Sequence, residues 1–77
     1  MTIEQAFANV IKRQRQRLDI SQEKLAELAD LHRTYISQLE RGLKSPSLKA
    51  LFSLAYAMRI ELHSLILEVE KELNVTK

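Results

Sequence analysis

Five residues between positions 33 and 41 have side chains suited to reading another polymer. In a helix Arg33, Thr34, Ser37, Gln38 and Arg41 share one side, opposite Ile36 and Leu39, and no acidic residue joins them there. Arginine makes a two-pronged pair with guanine, glutamine does so with adenine, and threonine offers thymine its hydroxyl or its methyl. These types therefore match the edges that base pairs present in a DNA major groove. Catalysis has no comparable set. Cysteine is absent, His32 and His63 are the two histidines, and the sequence holds no phosphate-cradling glycine loop, metal-ligand cluster or nucleophile at a fixed spacing from a base. The expectation is a binding protein rather than an enzyme, with no metal and no cofactor.

Such a face needs helices to hold it, and the composition supplies them. With one glycine and one proline in 77 residues there is little to punctuate strands, and strong helix formers dominate the rest. Hydrophobic residues at 45% and charged residues at 29% suit a soluble globular chain rather than a disordered or membrane-spanning one. One domain over residues 1–77 with one modest core is expected. The opening MTIEQAFANVIKRQ has neither the charge order nor the apolar run of a signal peptide, which makes a cytoplasmic location the default.

Periodicity divides the chain into five helices. Ile3, Phe7, Val10, Ile11 and Leu18 draw one stripe over residues 3–17. Ser21 caps a second helix over 22–29 that buries Leu25, Leu28 and Ala29. A third helix spans 33–41, buries Ile36 and Leu39, and ends at Gly42. Pro46 breaks the chain, and Ser47 caps a fourth helix over 48–57 with Leu48, Leu51, Phe52, Leu54, Ala55 and Met58 as its buried stripe. A fifth runs from Glu61 to about residue 73, with Leu62, Leu65 and Ile66 closing the core. Helices two and three, joined by a three-residue turn, form a helix-turn-helix unit over 22–41. The net charge of +2 is small, but positive charge gathers in residues 1–20 and 32–49, two blocks that a compact fold could bring to one surface.

In this order and spacing the pieces resemble the XRE family, the phage-repressor and Cro type of helix-turn-helix, over residues 11–66. They are Ile20-Ser21-Gln22-Glu23-Lys24-Leu25-Ala26, Leu31-His32-Arg33-Thr34-Tyr35-Ile36-Ser37-Gln38-Leu39-Glu40-Arg41-Gly42, Ser45-Pro46-Ser47 and Leu51-Phe52-Ser53-Leu54-Ala55. Within that family the stretch from Arg33 to Gly42 looks most like the small controller regulators of restriction-modification systems. The resemblance implies a compact all-α, five-helix, lambda-repressor-like fold and a regulator of transcription that binds double-stranded DNA. By the same resemblance Arg33, Thr34 and Gln38 read bases and Ser37 touches a base or a phosphate. Gln22 bonds a phosphate and braces the recognition helix, Tyr35 packs on the backbone or reaches a base edge, and Arg41 and Lys44 hold phosphates. It also implies a partly buried structural ion pair between Arg15 and Glu40. Asp19 and Asp30 stand where the family commonly has glycine, and aspartate tolerates left-handed backbone angles better than most residues. His32 stands where Ser or Thr is the usual cap, which leaves the start of the third helix open by a residue.

The fifth helix is longer than closing a small core requires. Leu67, Val69 and Leu73, in the extension over 67–77, are expected to leave an apolar patch on a monomer. A second copy related by a two-fold axis would cover it, and such a pair would read a palindromic operator. The alternative is an antitoxin or other protein-binding module whose fifth helix captures a different chain, with DNA binding secondary.

Overall fold

The computed structural model describes residues 1–75, and the final two residues of the extension expected over 67–77 lie outside the described residues. Five helices follow one another: α1 (Ile3–Arg17), α2 (Gln22–Ala29), α3 (Arg33–Glu40), α4 (Leu48–Ala57) and α5 (Leu62–Val75). Among the described residues there is no strand, as expected for an all-α chain. No single described helix is long and apolar enough to cross a membrane.

Helices α1, α2 and α4 start where a side chain satisfies free amides. Thr2 and Gln5 form a reciprocal capping box on α1. The Ser21 and Ser47 hydroxyls accept from the backbone N–H of Lys24 and Ala50, at 3.0 Å in both cases. His32 is the N-cap of α3 and makes no side-chain capping bond, so that helix starts at Arg33 on backbone geometry alone.

The first four helices end alike. Asp19, Asp30, Gly42 and Arg59 each take a left-handed backbone, with φ of 56°, 55°, 72° and 57°. After each, the next residue's N–H reaches back five residues, from Ile20 to Arg15, Leu31 to Ala26, Leu43 to Gln38 and Ile60 to Ala55. This doubled closure satisfies the last carbonyls of a helix, and the residue after it is apolar in all four cases. Glycine accepts the geometry freely at position 42; the two aspartates and Arg59 accept it at a cost.

Ile11, Leu25, Ile36, Leu39, Leu54, Met58 and Leu65 are fully enclosed at the centre, where α1 packs on α3 and α5 and α2 packs on α3 and α4. Several apolar side chains expected inside are outside. Leu28 is 45% exposed, Leu48 69%, Phe52 60% and Ile66 37%. The core is small, so a helix can present only one narrow face to it, and apolar residues beyond that face remain on the surface. Val69 corrects the reading in the other direction: expected on a surface patch, it is 5% exposed and belongs to the core. Leu73 packs partly against the core, which leaves Leu67 as the one exposed member of that expected patch.

Candidate nucleic-acid interface

The unit that presents the polar face is α2, its turn and α3. Asp30 reverses the chain after α2, and Leu31 then packs against the core, so α3 leaves the turn with Ile36 and Leu39 pointing inward. Burying those two fixes the rotation of α3 about its axis. Arg33, Thr34 and Arg41 consequently lie exposed, with Ser37 and Gln38 part-exposed on the same side.

A polar anchor beneath α3 holds its far end. Glu40 is 4% exposed and accepts two bonds from Arg15, Nε to Oε2 at 2.7 Å and Nη2 to Oε1 at 3.0 Å. Arg15 also donates Nη1 to the Ile20 carbonyl at 2.8 Å, and the Gln22 amide donates to Glu40 at 3.1 Å. One carboxylate thus ties α1, the corner before α2, and the first residue of α2 to the last turn of α3. The hydrogen bond to Glu40 raises the pKa of Arg15, outweighing the opposing effect of burial. Gln22, part-exposed, spends one donor on this anchor and keeps a second amide hydrogen and an acceptor for another partner.

The loop between α3 and α4 is fastened at two points. The Ser47 N–H donates to the Tyr35 hydroxyl at 3.2 Å, and the Ser45 hydroxyl donates to Glu4 of α1 at 2.7 Å. That second bond is the chief reason the Glu4 carboxyl lies below its ordinary value. Lys44 stands exposed just before these fastenings, three residues after the exposed Arg41. Tyr35 is therefore a part-buried strut between α3 and the loop as well as a candidate contact. Neither fastening is legible from spacing, because the partners lie 12 and 41 residues apart on elements whose angle the sequence does not print.

The two basic blocks do not contribute equally. Arg13 is held by Glu72 at 3.3 Å and Glu68 at 3.8 Å, Arg17 donates twice to Gln14, and Arg15 is consumed by Glu40. The cations near α3 (Arg33, Arg41, Lys44 and Lys49) have no such partners among the described residues and stand exposed. No cluster of potential metal ligands occurs among the described residues. An exposed, acid-free helix face flanked by cations, braced from behind by an ion pair and loop bonds, is a surface for a polyanion with a patterned edge.

Known proteins share this arrangement. A helix-turn-helix family model matches residues 11–65. The control protein C.MunI of a Mycoplasma species is 39% identical over 67 residues, covering 86% of this chain and 90% of that one. The control protein C.SmaI of Serratia marcescens is 36% identical over 66 residues, covering 86% and 79%. Among solved structures, the restriction-modification controller protein C.AhdI from Aeromonas hydrophila superposes with a TM-score of 0.78 at 35% identity, over 80% of this chain and 94% of that one. Wild-type controller protein C.Esp1396I superposes with a TM-score of 0.86 at 27% identity, over 95% and 94%. The chain belongs to the XRE-type helix-turn-helix family, alongside restriction-modification controller proteins, and is a DNA-binding regulator of transcription.

Proposed function

We propose that this protein is a sequence-specific regulator that works in the cytoplasm as a homodimer, laying α3 of each subunit into successive major grooves of a two-fold operator. Binding alone is its activity. The observation that carries the reading is the exposed side of α3, which holds Arg33, Thr34, Ser37 and Gln38 without a carboxylate while Ile36 and Leu39 lock its rotation. Arg33, Thr34 and Gln38 read bases, with Ser37 beside them. Gln22, Tyr35, Arg41 and Lys44 take the sugar-phosphate backbone, supplying affinity without sequence information. A homodimer suits this division, because one short helix reads too few base pairs to find an operator alone, and two helices one helical turn apart read twice as many.

Selection of binding sites from randomised duplex DNA at near-physiological salt tests the assignment. The wild type is expected to recover a two-fold-symmetric consensus. Arg33→Ala and Gln38→Ala should each relax that consensus at particular positions, at a cost of about 1–3 kcal/mol per lost base contact. Variants that select the same consensus as the wild type would remove these residues from base reading.

A further inference from the structure

An apolar residue follows the closure of each of the first four helices, and in three cases it is used inside the fold. Ile20, Leu31 and Ile60 pack against the core, whereas Leu43 lies outside it and is 60% exposed. Leu43 falls between Arg41 and Lys44, which the proposed function gives to DNA phosphates. We propose that Leu43 is a DNA contact of a different kind from its neighbours. Its side chain lies against a deoxyribose between the phosphates those cations hold, adding affinity that neither salt nor base sequence alters. The inference rests on the assignment of Arg41 and Lys44 to the backbone and extends it to an apolar residue.

Three observations carry it. The first is that Leu43 is exposed without being loose. Its N–H donates to the Gln38 carbonyl at 3.0 Å, and the Gly42 N–H donates to that of Leu39 at 3.1 Å. Gly42 backs onto Gln5 of α1, and two residues beyond Leu43 the Ser45 hydroxyl is bonded to Glu4. The side chain is therefore presented from a fixed backbone, and most of the ordering cost of a contact is met before binding.

The second is charge. No acid occurs between Arg41 and Ile60, while Arg41, Lys44 and Lys49 flank Leu43. A protein partner would have to offer an apolar socket ringed by carboxylates. A DNA strand offers that alternation as its ordinary repeat, a phosphate, then a deoxyribose with apolar C–H edges, then a phosphate. The order cation, apolar, cation along Arg41, Leu43 and Lys44 matches it. The third is continuity. The Leu43 N–H is tied to the backbone of Gln38, a proposed base reader, so docking α3 in a groove carries Leu43 toward the strand that borders the groove.

Fluorescence anisotropy of the whole chain tests the proposal on three duplexes of one length: the selected half-site, the same half-site with deoxyuridine in place of thymidine, and a mixed sequence. Leu43→Ala is expected to weaken binding to all three alike, by at least about fourfold, the worth of one buried methylene. Its salt slope should match the wild type, whereas Lys44→Ala should flatten the slope. Leu43→Met should recover most of the loss, and Leu28→Ala, which removes another exposed leucine, should bind as the wild type does. Because the Leu43 side chain is exposed, helical circular dichroism and the thermal melt of Leu43→Ala should be those of the wild type. A Leu43→Ala variant that binds every duplex normally while Lys44→Ala is weakened would overturn the contact and leave the DNA reading standing. A loss that disappears on the deoxyuridine duplex would move Leu43 to a thymine methyl and overturn the sugar assignment. If Lys44→Ala also binds normally, the loop lies off the DNA and the backbone assignment falls too. A wild type that binds none of the duplexes would overturn the DNA reading, and this contact with it.

Discussion

Glu40 illustrates how one residue connects folding to recognition. Its side chain is 2% exposed against 15% for Arg15, so the carboxylate gave up water almost completely and depends on Arg15 and Gln22 for compensation. Removing the arginine would strand a buried charge, and removing the carboxylate would strand the guanidinium. We expect Glu40→Ala to cost about 3 kcal/mol, whereas Arg15→Met/Glu40→Leu, which deletes both charges and refills the volume, should be markedly more stable than Glu40→Ala alone. Urea denaturation of the four corners of that cycle measures the coupling. Additive losses would mean that the pair contributes little beyond its packing. On the proposed binding mode the same pair would bear on DNA affinity, since Glu40 fixes the end of α3 and Gln22 reaches it from the first turn of α2.

At the scale of elements, three helices pay for their endings. Asp19, Asp30 and Arg59 hold φ near 55° without being glycine, and arginine lacks the short polar side chain that eases aspartate into that region. Arg59→Gly is therefore expected to stabilise the fold by about 0.5–1 kcal/mol, the relief of strain exceeding the entropy that glycine restores to the unfolded chain. For a chain of this size that is a rise of a few degrees in Tm, read by a thermal melt; a fall would show that the Arg59 side chain contributes more than its backbone costs. The sequence made the two aspartates visible, because each follows a helix in a position where a glycine is expected, but Arg59 carried no such mark. Helix positions were legible for a related reason. Ser21, Ser47, Gly42 and Pro46 punctuate the chain, and three- and four-residue spacing of apolar residues survives any tertiary arrangement. Which apolar residues are buried was less legible. Phe52 and Leu54 are both strongly apolar, yet only the angle between α4 and its neighbours decides that Leu54 is enclosed and Phe52 is not. The exposed polar face of α3 could be drawn from residue types, while the Tyr35–Ser47 and Glu4–Ser45 fastenings behind it could not.

The whole molecule measures 35 × 23 × 23 Å, several times the Debye length of about 8 Å at physiological salt, so the field a DNA surface meets is set chiefly by the charges on the face nearest it. The fold reshapes that field. On α1, Arg13 and Arg15 are spent against Glu40, Glu68 and Glu72, so the net +2 of the chain understates what faces a polyanion near α3, where Arg33, Arg41, Lys44 and Lys49 stand exposed. Each phosphate neutralised by such a cation releases counterions and adds about 0.9 to the slope of log affinity against log salt. This gives a test of assembly and residue role together. In a dimer every substitution occurs twice, so Lys44→Ala or Arg41→Ala should flatten the salt slope by about 1.8 on a two-fold operator but by about 0.9 on an isolated half-site. Gln38→Ala should weaken operator binding while leaving the slope unchanged, because a base edge carries no condensed counterion. Titrations by fluorescence anisotropy at several salt concentrations, on both duplexes, give all of these numbers. Equal flattening on the two duplexes would mean that one subunit engages DNA at a time, and a slope that moves with Gln38→Ala would shift that residue from the bases to the backbone.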